Sequence, residues 1–183
     1  MAGKKLRRYV YKSAILVAAL SFLFGLDYAI KEWHNQDVTK MQITNNSIRE
    51  LDCLTKNIHW ESRGEPLAGK IAVAQVTLNR VADGRFGDDV CSVVYQKTNI
   101  AQRIVCQFSW VCENNIKKAP ISPKDYEESF DVAKKVFFEN WKLSHLEDAL
   151  YFHADYVRPK WNKERVAKIG KHIFYKEREG KNK

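Results

Sequence analysis

Residues Ser47–Val81 read SIRELDCLTKNIHWESRGEPLAGKIAVAQVTLNRV, and this stretch decides the fold. It holds two helical patterns with a break between them. Ser47 and Glu50 have the spacing of a capping box, which predicts a helix opening at Ser47. Ile48, Leu51, Leu54 with Thr55, and Ile58 follow at helical intervals. Glu61 lies three residues past Ile58 and seven past Leu54, so it falls on the buried stripe rather than on the solvent side. Gly64 breaks the run, and Pro66 suits the start of a second helix. Leu67, Ile71, Ala74, Leu78 and Val81 mark one face of that helix, and Ala82-Asp83-Gly84 is its stop signal. A carboxyl beside Trp60 at the end of an apolar stripe has two readings. Either burial raises its pKa and makes it an acid, or it is the structural partner of Arg63 or Lys70.

Downstream, residues 84–121 are less regular. Val90–Gln96 reads as a short helix or turn, and Gln102–Phe108 as an extended piece or hairpin arm. Ser122 and Pro123 open another helix as cap and first residue, with Tyr126, Phe130, Ala133, Phe137 and Trp141 on its buried side. Asp148–Phe152 is expected to be a short helix and Lys168–Tyr175 a terminal strand or extended arm. The expected fold class is mainly α (α+β), with a small hairpin or extended arm and a preceding N-terminal hydrophobic helix.

Upstream, Lys4, Lys5, Arg7, Arg8 and Lys12 precede the uncharged run Ala14–Leu26, which Asp27 interrupts and Tyr28-Ala29-Ile30 extends. The basic flank predicts an N-terminus held inside and a chain exported behind it, to the periplasm or the outer face of the cytoplasmic membrane. An uncleaved single-pass anchor is the preferred reading, a cleaved signal and a buried helix the others. The expected organisation is a basic flank at 1–12, an anchor or signal at 13–30, a linker at 31–46, a catalytic domain at 47–176 and a polar tail at 177–183. Nine Phe, eight Tyr and five Trp argue against disorder over most of the length. A net charge of +9 fits an anionic polymer or surface as well as plain solubility. No nucleic-acid motif, repeat or phosphate loop is present. Cys53, Cys91, Cys106 and Cys112 form an even set without a tight metal knuckle, so two disulfides are expected over a zinc site. Cys106 and Cys112 can close a short loop, and the three possible pairings stay open.

The block His59-Trp60-Glu61-Ser62-Arg63-Gly64-Glu65-Pro66 resembles the SleB-type cell-wall hydrolases, the spore cortex-lytic enzyme family. The resemblance continues through Gly69–Val81, Val90–Gln96, Cys106–Trp110 and Ala167–Tyr175, together spanning about residues 50–175. It implies a lysozyme-like, lytic-transglycosylase-related fold. It implies Glu61 as the catalytic acid, and peptidoglycan cut between N-acetylmuramic acid and N-acetylglucosamine as the reaction. Trp60, Ser62 and the stretch 97–105 depart from the family pattern.

Most glycosidases use two carboxylates, and no second one stands out here. A lytic transglycosylase needs only one, because the substrate's own C6 hydroxyl attacks the anomeric carbon. Glu65 reads as a charge complementing a helix dipole or as a partner of Arg63 behind the acid. Gln107, Phe108, Ser109 and Trp110 are candidates for a cleft wall that binds sugar, against the alternative of a packed, disulfide-held hairpin. Thr77 and Asn79 are candidates for support or substrate hydrogen bonding. Tyr151, His153 and Tyr156 are candidates for the far side of the cleft. The expected partners are peptidoglycan and, through the N-terminal segment, a membrane. No cofactor or metal is called for. Two other classes stay open: a wall amidase or peptidase, for which the His and Cys spacings lack a ligand or dyad pattern, and a binding protein without activity.

Overall fold

Helix α1 spans Ala2–Ser62 and helix α2 spans Leu67–Asp83, in a computed structural model that describes residues 2–178. Side chains are described from residue 21 onward, apart from 23, 37, 39, 43 and 117. The chain divides into two units, Met1–Asn46 and Ser47–Lys183, and α1 contributes residues to both. The expected capping box at Ser47 is not a helix start, because α1 continues through it. Nothing in residues 31–46 breaks a helix, since the stretch has neither Gly nor Pro. The expected linker is accordingly helical. In the first unit Phe22, Phe24, Trp33 and Met41 are exposed. Among the described residues no helix is long and apolar enough to cross a membrane. Much of the anchor expected at 13–30 falls on side chains outside the described set.

In the second unit the two helical patterns form as the spacing predicts. Leu51, Leu54 and Ile58 of α1 are buried against Ile71 and Ala74 of α2, whereas Ile48 stays exposed. Gly84 ends α2 in the left-handed region, φ 77°, where its N–H caps the carbonyls of Arg80 and Val81. Helix α3, Val90–Val94, opens on a capping box between Asp89 and Ser92. Strands β1, Lys97–Ile100, and β2, Arg103–Cys106, form a hairpin. Its two turn residues, Ala101 and Gln102, both take positive φ, the mark of a tight hairpin turn whose twist matches its strands. Short helices α4, Ser109–Cys112, and α5, Asn114–Lys117, lead to α6, Pro123–Phe138, which Ser122 caps as expected. Val132, Ala133 and Val136 of α6 complete the main core. Trp141 lies beyond the end of α6 and is exposed.

A single 3-10 turn, Ser144–Leu146, precedes β3, Ala149–Ala154. The expected helix at Asp148–Phe152 is therefore a strand. The terminal strand or arm expected at 168–175 is the meeting of two strands, β4, Lys163–Ile169, and β5, His172–Glu177, joined at Gly170-Lys171. The three form an antiparallel sheet in the order β3-β5-β4. Phe174 of β5 is fully buried in a second cluster with Ala72 and Val76 of α2, Leu146 and Ala149. Helix α2 is thus packed on both sides, by α1 and α6 and by the sheet. The disulfides pair Cys53 with Cys91 and Cys106 with Cys112, so the four cysteines form two bridges as expected.

Candidate active site

The crossing of α1 and α2 is pinned by polar groups inside the core. Asn57 is fully buried; its amide nitrogen donates to the Thr77 hydroxyl at 3.1 Å and its oxygen accepts from Trp110 Nε1 at 3.0 Å. One turn further along each helix come Glu61, four residues past Asn57, and Arg80, three past Thr77. Helical spacing keeps these on the faces that meet, and the two charges interact electrostatically. Glu61 is partly exposed yet largely enclosed by protein. Burial pushes its carboxyl up to about 7; Arg80 opposes that rise and Glu113 adds to it. Neither Arg63 nor Lys70 forms an ion pair with Glu61 among the described residues. Lys70 pairs with Glu128, and Arg63 stands over the Trp60 ring at 5.5 Å from its centroid.

Arg80 is the residue that the sequence did not single out. It is 3% exposed, and its guanidinium sits among the rings of Phe86, Phe108 and Phe152 at 5.2–5.9 Å. Its Nε donates to the Leu150 carbonyl at 2.8 Å. The surrounding donors set the Gln107 amide with its oxygen toward Arg80, accepting from Nη1 at 3.0 Å and Nη2 at 3.2 Å. The Gln107 nitrogen then donates to Gln96 Oε1 at 3.1 Å. Burial lowers Arg80 to about 10, so it stays charged at neutral pH beside Glu61. Its place in the sequence gives no local signal of this, because α2 also carries Lys70, Gln75, Thr77 and Asn79 and the partners of Arg80 come from distant segments.

The other expected site residues separate into two groups. Gln107 joins Arg80, and Ser109 is exposed at the start of α4. Phe108 and Trp110 do not form a cleft wall. Both are core residues, Trp110 at 4% exposure with its ring against Trp60 and Tyr95. Thr77 is fully buried and donates to the Val73 carbonyl at 2.9 Å, so it supports the helix crossing and cannot reach a substrate. Asn79 also takes the supporting role. Its amide nitrogen donates to the carbonyls of Leu146 and Ala149 at 2.8 and 2.9 Å. Together with Gln75, which exchanges two hydrogen bonds with the Leu143 backbone, Asn79 and Arg80 lace α2 to residues 143–150 and fix the start of β3.

Glu65 is not a partner of Arg63. Its carboxylate reaches the β4–β5 turn, accepting from the Lys171 N–H at 2.9 Å with His172 Nδ1 4.0 Å away. Tyr151 donates to Glu177 at 2.5 Å, and His153 stacks on Tyr175, but Tyr156 is 82% exposed and is not part of that group. Trp161 takes its place, lying 6.1 Å from Tyr151 and 5.6 Å from His153 between ring centroids.

The model of the cell wall hydrolase family matches residues 64–175. The match opens just after Glu61, so the case for that residue rests on its geometry. Over 132 residues the chain is 29% identical to a spore cortex-lytic enzyme of Bacillus cereus, covering 71% of this chain and 45% of the relative. It is 31% identical over 134 residues to a spore cortex-lytic enzyme of Bacillus subtilis, covering 72% and 38%. The chain thus spans less than half the length of these relatives. Among solved structures it is similar to the catalytic domain of the germination-specific lytic transglycosylase SleB from Bacillus anthracis. That similarity has 29% identity and a TM-score of 0.52 over 69% of this chain and 93% of the other.

Proposed function

The chain belongs to the cell wall hydrolase family, and from that membership we propose that it cleaves peptidoglycan glycan strands between N-acetylmuramic acid and N-acetylglucosamine, as a lytic transglycosylase with Glu61 as its only acid and base. The observation that carries this reading is the Glu61 carboxyl itself: enclosed at the end of its helix, raised to about 7 by burial, and facing a fixed cation. In the protonated state Glu61 gives its proton to the glycosidic oxygen as the bond to the anomeric carbon breaks. The carboxylate left behind takes the proton of the C6 hydroxyl as that oxygen bonds to the anomeric carbon, leaving an anhydro-muramyl end. Arg80 stabilises the carboxylate between the two transfers. It is held by the Leu150 carbonyl and by Gln107, so it need not reorganise.

One observation favours hydrolysis as the second reading. Glu113 lies near enough to raise the Glu61 pKa, and a second carboxylate is what a hydrolytic muramidase or glucosaminidase would use. Incubating the purified chain with peptidoglycan and weighing the soluble fragments by mass spectrometry separates the two. Transglycosylation yields anhydro ends lighter by one water, hydrolysis yields reducing ends, and an inactive binding protein yields neither. The proposal includes an exported chain held at the membrane by its N-terminal segment, on the strength of the basic flank and the apolar run behind it.

A further inference from the structure

The sheet β3-β5-β4 has an outer face that the proposed reaction does not use. Cross-strand partners share a face, so the register places Tyr151, Tyr175 and Arg165 in one row and His153, Ile173 and Lys168 in the next. Phe152, Phe174 and Ala167 form the row between and point inward. Against the outer rows lies an open cavity of about 630 Å³, to whose lining the β3–β4 loop adds Arg158.

The hydrogen bonds of this cavity fix what it can hold. Arg158 Nη1 is spent on the carbonyls of Asp155 and Val157, at 2.5 and 3.1 Å, which holds the guanidinium while leaving its other edge for a ligand. Lys168 and Asp155 neutralise each other at 2.8 Å. Among the described residues no ion pair reaches Arg165. His153 Nδ1 is 2.8 Å from the Ala154 carbonyl, which can only accept, so that nitrogen carries the proton. His153 Nε2 then accepts the Tyr175 hydroxyl at 2.9 Å, which leaves the phenol oxygen as an acceptor toward the cavity. Two guanidinium forks beside one acceptor match a carboxylate that neighbours an amide N–H. A phosphate would satisfy the forks but set its own oxygens against the phenol acceptor.

We infer that this cavity binds a carboxylate-bearing peptide, the stem attached to the muramic residue of the strand being cut. The inference rests on the reading of the chain as a peptidoglycan-cleaving enzyme. Stem-bearing strands are gripped at the sheet's outer face as well as at Glu61, so bare glycan binds more weakly.

The full chain is titrated calorimetrically with acetyl-L-alanyl-D-glutamic acid, with its diamide, and with inorganic phosphate. The dicarboxylate binds, the diamide binds at least tenfold more weakly, and phosphate does not compete. Arg165→Gln, and Arg158→Gln with Arg165→Gln, each weaken dicarboxylate binding about tenfold. In parallel, KM is measured on intact strands and on strands stripped of stems. The variants raise KM about tenfold on intact strands and leave kcat, and all constants on stripped strands, unchanged. Arg165→Gln removes no described contact, so it separates a binding defect from a folding one. Variants that bind the dicarboxylate like wild type, or phosphate that displaces it, overturn the inference. Binding of the dicarboxylate by a chain that cuts neither strand would sink the proposed activity and leave the pocket standing. Equal KM on both strands with no binding would do the reverse.

Discussion

Glu61 holds its proton near neutrality because its enclosure disfavours the charged form more than Arg80 favours it. Glu61→Gln keeps volume and hydrogen-bonding capacity but cannot donate a proton to the leaving oxygen. Its cleavage rate should fall by roughly 10²–10⁴-fold, the usual worth of a general acid, while the chain stays folded. The wild-type rate should decline as pH rises through about 7, because the acid form is lost there. The same group sets a stability trend of known sign. The folded pKa is raised above the unfolded value, so the contribution is full below the unfolded pKa, near 4.5, and fades as pH climbs to about 7 and above. Denaturant melts should therefore show Glu61→Gln gaining on wild type across that window, by up to about 3 kcal/mol. A parallel pH dependence for the two proteins would contradict the raised pKa. Glu61 was legible in the sequence because its position repeats the apolar stripe of its own helix. Arg80 was not, because what makes it part of the site is the set Gln107, Leu150 and Phe152, all distant in sequence. Trp110 misled for the mirror reason: an aromatic next to polar residues reads as a binding wall until Asn57 is found bonded to its ring nitrogen.

Elements whose ends carry their own chemistry were the readable ones. Helix α2 has Pro66 before it and Gly84 after it, and α6 has Ser122 and Pro123 at its start, so both ends of α2 and the start of α6 followed from local rules. Strand β3 had none of this. The run ALYFHA is short and apolar without alternation, and such runs do not distinguish helix from strand until the neighbours that flank them are known. The β4–β5 turn was hidden too, since Gly170 alone marks it. That glycine takes φ +56°, and a Cβ there would come within 1.7 Å of Glu65 Oε2. Gly170→Ala must therefore strain the backbone and also expel the Glu65 carboxylate from the Lys171 N–H. It should destabilise the domain by roughly 1–3 kcal/mol. Amide exchange should rise first at Lys171 and His172, and unchanged exchange there would mean that Glu65 does not hold the turn.

The second unit is tied covalently at two places that differ in reach. Cys53–Cys91 closes a separation of 38 residues and joins α1 to α3, whereas Cys106–Cys112 closes 6. On chain-entropy grounds removing the first should lower stability by about 4 kcal/mol and removing the second by about 2. Paired Cys→Ser variants in urea melts would test the order, and equal losses would contradict it. The even cysteine count was readable from composition, but the pairing needed the fold that brings Cys91 beside α1. Export is tested by a fusion at Lys183, with a reporter that works only outside the cytoplasm; activity of a cytoplasm-only reporter would defeat the proposed topology. The β1–β2 hairpin has a consequence for engineering. Its root is closed by Gln107 N–H bonding the Gln96 carbonyl at 3.0 Å, and the Cys106–Cys112 bridge ties the end of β2 to α4. Its strands are exposed on both faces as far as the Ala101-Gln102 turn. Foreign loops grafted at that turn should be carried as passengers, since lengthening a surface loop is thermodynamically mild. The tip is thus a place where a targeting module can be installed without rebuilding the domain that displays it.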